Sequence, residues 1–215
     1  MTKTVKIDFV SDVSCPWCVI GLGGLTRALE RLDGQVEADI HFQPFQLNPD
    51  MAAEGTNHLD YITKKYGSTR EQALANGKAI ADRAASLGFT MARDETSRVY
   101  NTFDAHRLLH WAEPQGKQLA LKRALFEAYF THGRNPGDPE VLVDLAGKVG
   151  LDPEAAREVL TSGRYAAEVR EAEARWRAAG ITSIPAVVVN DKYLISGGQP
   201  PEAFEQALRN IAAEA

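Results

Sequence analysis

Cys15 and Cys18 are the only cysteines of the chain, and they stand three positions apart with Pro16 and Trp17 between them. One pair at this spacing cannot form the disulfide framework of a small secreted domain. A structural bridge closing so short a loop would also remove little chain entropy. The pair therefore calls for chemistry. Two thiols at i and i+3 lie about one helical turn apart, so the second can attack a mixed disulfide carried by the first. If a helix starts at the first cysteine, the unpartnered N–H groups and the positive end of the helix dipole favour its thiolate. Pro16 suits that start, because its missing N–H is not needed there. Cys15 is thus expected to be the exposed nucleophile and Cys18 the more buried resolving thiol. His106 and His110, at i and i+4, could complete a zinc site with the two cysteines. The two pairs are far apart in the chain, however, and lack the compact spacing of a zinc finger, so no metal is expected.

The elements that must position these residues follow from the hydrophobic pattern. Val5 to Val10 reads as a buried strand running through Ser11–Ser14 into the cysteines. Leu22, Leu25, Leu29 and Leu32 then share one helical face that ends near Gly34. Val36, Ala38, Ile40 and Phe42 alternate with polar residues, as in a strand with one wet face. Strand, helix, strand implies a parallel pair with a right-handed crossover.

From Asn48 to Gly180 the period is helical almost throughout. Ser68–Glu71 resembles a capping box, and its helix is expected to end at Gly88. Val99, Phe103, His106 and His110 share the face of a helix stopping before Pro114, and Leu121, Leu125 and Ala128, with His132 as a candidate fourth member, share another. Asp138-Pro139-Glu140 and Asp152-Pro153-Glu154 are two clear helix starts. After Gly180, Ala186–Val189 and Lys192–Ser196 read as a hairpin around Asn190-Asp191, followed by a helix with Phe204, Leu208 and Ile211 on one face.

The pattern is βαβ, a long helical stretch, then ββα: an α/β thioredoxin-like fold interrupted by a large all-helical subdomain. The expected division is 1–48 for the first half of the core, 49–180 for the helical insertion and 181–215 for the second half. Pro185 must lie at its strand's start, since proline is disfavoured inside a sheet. A trans proline would simply open that strand. A cis bond after Ile184 would instead leave the Ile184 backbone free to pair with an extended peptide beside the cysteines, but only about 5–6% of X–Pro bonds are cis.

The net charge of −5 over 215 residues, with basic and acidic residues interleaved, gives no phosphate-binding surface, so nucleic acid is not an expected partner. No stretch approaches the roughly 20 apolar residues of a membrane span, and Asp8 and Asp12 interrupt any leader-like run. A membrane association is not expected, and the expected location is the cytoplasm. The sequence carries no signal for an oligomeric state.

Cys-Pro-Trp-Cys after the first strand, the helical insertion and Ile184-Pro185 before a later strand resemble the DsbA-type thiol oxidoreductases. Ser11–Cys18, Phe45–Pro49, Asn101–Leu108 and Ser196–Pro200 read like their cytosolic FrnE-like branch. The resemblance implies a cis Pro185, Cys15 as nucleophile, Cys18 as resolving thiol, and Pro16, Trp17 and Ile184 lining the substrate site. It implies client proteins with thiols or disulfides and a small-thiol or thioredoxin-type electron partner. No tightly bound cofactor is expected, with glutathione as a candidate co-substrate. Trp17 stands where the oxidising periplasmic members have histidine, so their potential does not transfer, and the second cysteine pair of some relatives is missing. The alternative is a glutathione-dependent isomerase or transferase, related to 2-hydroxychromene-2-carboxylate isomerase and the kappa-class glutathione transferases. Those typically carry serine at the position of Cys15, which argues against it here. A buried acid often moves protons in thioredoxin-like sites. Asp8 and Asp12 are the candidates, Asp12 reading as a solvated turn residue.

Overall fold

A computed structural model describes residues 2–214. Strand β1 (Lys3–Ser11) has Val5, Ile7, Phe9 and Val10 wholly buried, and Asp8 nearly so, because it is covered on both faces. Helix α1 (Pro16–Arg31) crosses over to β2 (Val36–Pro44), which pairs parallel to β1 from Lys3↔Val36 to Ser11↔Pro44. The expected βαβ start is present.

The intervening segment begins with β3 (Thr56–Asn57), α2 (His58–Tyr66), α3 (Arg70–Ser86) and β4 (Arg98–Val99). It continues with α4 (Phe103–Ala112), a 3-10 turn at Glu113–Gln115, and α5 (Gln118–Phe126), which runs on as a π-helical stretch over Glu127–Thr131. Helices α6 (Pro139–Lys148), α7 (Pro153–Ser162) and α8 (Ala166–Ala178) complete it. The chain then returns to the sheet through β5 (Ala186–Val189), β6 (Tyr193–Ser196) and α9 (Pro201–Glu214). The four-stranded sheet has the order β2-β1-β5-β6, with β5 antiparallel to both neighbours. Asn190 and Asp191 turn the hairpin at φ of 52° and 56°, a region these residue types tolerate.

Several local expectations shift. The capping box is Thr69 with Gln72, one residue later than Ser68–Glu71, because Thr69 is the residue in extended conformation. Val99 belongs to β4, paired with Thr56, and α4 starts only at Phe103, whose N–H is capped by the Asn101 side chain at 2.9 Å. The insertion is therefore not all-helical, since β3 and β4 form a two-residue ribbon too short to leave a periodic signal. Helix α4 does stop before Pro114 as expected, ending at Ala112, and Pro114 lies in the 3-10 turn that follows. Asp138 and Asp152 cap α6 and α7 as expected, each accepting from the N–H two residues on at 2.9 Å.

One core unites the sheet with α1, α9 and the end of α5: Val5, Ile7, Phe9, Leu25, Phe42, Phe126, Phe204 and Leu208 are members. A second joins α4, α5, α6 and α7, and takes in Val13 from the loop before the cysteines. Burying Val13 contributes about 1.5–3 kcal/mol and ties that loop to the helices.

Candidate active site

Cys15 is the N-cap of α1, with φ −89° and ψ 114°, and Pro16 occupies the first helical turn. The Cys15 N–H donates to the Asp12 carbonyl at 3.3 Å and the Cys18 N–H to the Cys15 carbonyl at 3.1 Å. The first turn of the helix is thus built around the two thiols, both of which are free. Cys18 is wholly enclosed, as expected. Cys15 is also buried, at 4% exposure, where an exposed thiol was anticipated. The Ile184 carbonyl oxygen lies 3.9 Å from Cys15 Sγ and covers it on one side. Sequence reasoning could not supply that contact across such a separation.

The Ile184–Pro185 peptide bond is cis. Pro185 directly precedes β5, and its carbonyl accepts from the Gly197 N–H at 2.8 Å. The segment 197–199 seals this corner against α1, and glycines on both sides allow the approach. A Cβ on Gly24 would stand 2.5 Å from the Gln199 carbonyl oxygen, one on Gly198 2.8 Å from the Trp17 carbonyl oxygen, and one on Gly21 3.0 Å from the Pro185 ring. Trp17 remains 39% exposed beside the cysteines. The Arg83 guanidinium of α3 lies over its ring at 5.5 Å and also donates to the Gly198 carbonyl at 3.3 Å.

Asp12 corrects an expectation: it is a buried, fully engaged acid rather than a solvated turn residue. Its carboxylate accepts from the Leu47 N–H at 2.8 Å and the Ser14 N–H at 3.3 Å, and His106 Nε2 of α4 stands 3.5 Å away. Burial alone would push this carboxyl up. The His106 ring, the Leu47 N–H and the Thr102 side chain overcome it and hold the group at about 2. Asp8, the other candidate acid, faces Lys6 at 2.9 Å and accepts from Gln43 at 2.6 Å. Its contacts lie along β1 and β2 rather than at the cysteines.

Three cationic or basic groups escaped sequence reasoning. Lys122 of α5 is wholly buried, with its ammonium over the Phe126 and Phe42 rings at 5.1 and 5.7 Å. A signal was present: Gln118, Lys122 and Phe126 form an i, i+4 row, all buried, on a helix that otherwise buries apolar side chains. Arg93 lies over the Phe130 and Tyr129 rings at 4.7 and 5.3 Å, with its Nη1 2.5 Å from His58 Nε2. Burial, and then the Arg93 charge, push His58 down to about 4. Burial pushes the Cys18 thiol well up, the neighbouring Cys15 adds to this, and the Lys122 charge opposes it.

His110 packs on Tyr165 with ring centroids 5.1 Å apart. Among the described residues, no group of three or more His, Cys, Asp or Glu side chains is placed to hold a metal ion, and no helix is long and apolar enough to cross a membrane.

The chain is similar to known proteins over nearly its whole length. The uncharacterised protein YwbO of Bacillus subtilis is 28% identical over 206 residues, covering 95% of this chain and 96% of that one. A solved structure described as a probable DsbA oxidoreductase from Streptomyces coelicolor is 35% identical, with a TM-score of 0.90 over 98% of this chain and 91% of its own. The cytosolic disulfide reductase DsbM from Pseudomonas aeruginosa, solved with glutathione, shares the fold at 18% identity, with a TM-score of 0.63 over 97% of this chain and 99% of that one. The sequence profile of the DSBA-like thioredoxin domain matches residues 6–209. With the βαβ–ββα sheet and the cysteine pair at the head of α1, this match places the chain in the family of DsbA-like thioredoxin domains.

Proposed function

We propose that the protein is a thiol–disulfide oxidoreductase or isomerase acting on client proteins through Cys15 and Cys18. The observation that carries this reading is the position of Cys15: it caps α1 one turn before Cys18, against the Ile184 carbonyl. In this mechanism the Cys15 thiolate attacks a client disulfide. A Cys15–client bond forms, and the other client sulfur leaves with the electron pair. Cys18 then attacks Cys15 Sγ, the client's second thiol departs, and a Cys15–Cys18 disulfide remains. A small thiol or a thioredoxin-type protein would restore the dithiol. We extend to this chain, as a proposal, the glutathione with which DsbM was solved. The cytosol is the compartment we infer, and 1–48, 49–180 and 181–215 the division of the chain.

Pro16, Trp17, Ile184 and Pro185 form the client surface in this reading. Support comes from the exposed Trp17 ring and from the Ile184 backbone beside Cys15. Reduction of insulin in the presence of dithiothreitol or glutathione is the test. Turnover that requires both cysteines is expected. Absence of turnover, together with glutathione-dependent isomerisation of a chromene carboxylate, would point to the isomerase alternative.

A further inference from the structure

Lys122 is fully buried and its Nζ has no hydrogen-bond partner among the described residues. An unpaired ammonium inside a protein is expensive and calls for a compensating charge. The surrounding elements supply few. Cys18 belongs to one buried cluster with Phe42 and Phe126, the rings beneath the ammonium, and its charge, with those of Asp12 and Cys15, would favour that ammonium. Asp12 already accepts from the Leu47 and Ser14 N–H groups. From β2 comes the uncharged Phe42 ring. Of the ionisable groups of β2, Glu37 is exposed, Asp39 and His41 are joined to each other, and His41 also to Glu113. Beyond α5, Tyr129 donates to the Arg98 carbonyl. On α6, Asp144 is taken by Arg134 and Lys148. Of these groups Cys18 counts foremost in favour of the Lys122 ammonium, ahead of Asp12, and it too is wholly buried.

We propose that Lys122 is a positioning residue whose ammonium is the counter-charge of the Cys18 thiolate that resolves the mixed disulfide. The inference rests on the exchange mechanism proposed above. In the step concerned, the Cys18 thiolate bonds to Cys15 Sγ and the Cys15–client S–S bond breaks. The client sulfur leaves with the electron pair and takes up a proton equivalent to the one Cys18 gave up. On this proposal the two buried groups release their protons as a pair. Burial brings Lys122 down to about 8, with Cys18 the foremost group opposing it. The state holding both thiolate and ammonium therefore grows with pH until the pair loses its first proton, and then levels off.

The test is the pH profile of glutathione release from the Cys15–glutathione mixed disulfide, in the wild-type protein and in Lys122→Met. The wild-type rate should rise and flatten near pH 8. The variant should be slower at neutral pH by roughly tenfold or more and keep rising beyond pH 8. Parallel profiles would overturn the proposal. If Lys122→Met does not fold, the Lys122 ¹³Cε resonance of the wild-type protein decides: its midpoint should be lower in the Cys15–Cys18 disulfide form than in the dithiol, and equal midpoints would overturn the idea. Failure of the wild-type protein to reduce insulin would instead sink the proposed function and leave this titration readout standing.

Discussion

The Asp12 carboxylate and the His106 ring face each other at 3.5 Å, both almost wholly buried, and join the cysteine loop to α4. Leu47, just past β2, donates its N–H to the same carboxylate at 2.8 Å. One acid thus fastens three segments behind the thiols.

Acid should loosen this knot first. Asp12 sits at about 2 against an ordinary 3.8, so the unfolded chain binds its proton more tightly than the folded one. Its contribution, about 2 kcal/mol, is complete above pH 4 and is lost as pH falls towards 2. Urea unfolding of the wild type and of Asp12→Asn at pH 5 and pH 2.5 measures it. The stability gap between the two proteins should shrink at the lower pH, and a constant gap would contradict the assignment.

The two cysteines should behave asymmetrically. Cys18→Ser should accumulate mixed disulfides with clients or glutathione through Cys15, since no resolving thiol remains, while Cys15→Ser should trap nothing. Mass spectrometry of adducts on the purified variants checks this. Equal trapping by both would reverse or abolish the roles.

Gly198→Ala probes the seal over the site. The added methyl would stand 2.8 Å from the Trp17 carbonyl oxygen and 3.3 Å from the Ile20 side chain, so segment 197–199 must retreat from α1. A loss of about 1–3 kcal/mol in chemical denaturation is expected, with faster alkylation of Cys15. Unchanged stability and reactivity would show that the segment yields freely.

Cellular redox poise gives a fourth prediction. Even a potential as oxidising as about −120 mV, in a cytosol near −260 mV, would leave the pair over ~10⁴-fold reduced at roughly 30 mV per decade. In resting cells Cys15 and Cys18 should be dithiols. Acid trapping followed by alkylation checks it, and a predominant disulfide would point to a dedicated oxidant or an oxidising compartment.

The sheet and α1 were legible because their signals are local. Val5–Val10 is a continuous apolar run, Val36–Phe42 alternates, and Cys15-Pro16 marks a helix start. Asp138-Pro139 and Asp152-Pro153 were equally plain. The ribbon of β3 and β4 was not, because two-residue strands are held by pairing across some forty residues rather than by a pattern. The thiol pair could be read from its spacing. The burial of Cys15 could not, since it depends on a carbonyl 169 positions away. Asp12 looked solvated because a loop aspartate ordinarily is, and only the approach of Leu47 and His106 encloses it. Lys122 lay within a helix of ordinary composition, and the register of a single i, i+4 row was its only trace.

The order of strands has a consequence for synthesis. β1 leaves the ribosome before the other strands of its sheet, yet one of its edges waits for β5, whose first residue is Ala186. β2 can pair with the other edge early, being close in sequence. Until β5 emerges, the nascent chain therefore presents an apolar strand with one open edge, and a cysteine pair that Ile184 does not yet cover. An open apolar edge is a template for pairing with other chains, and bare thiols are free to react with passing disulfides. The segment from Ile184 through β5 thus protects the newborn protein from aggregation and stray oxidation, and a chain stalled or cleaved before it would be exposed to both.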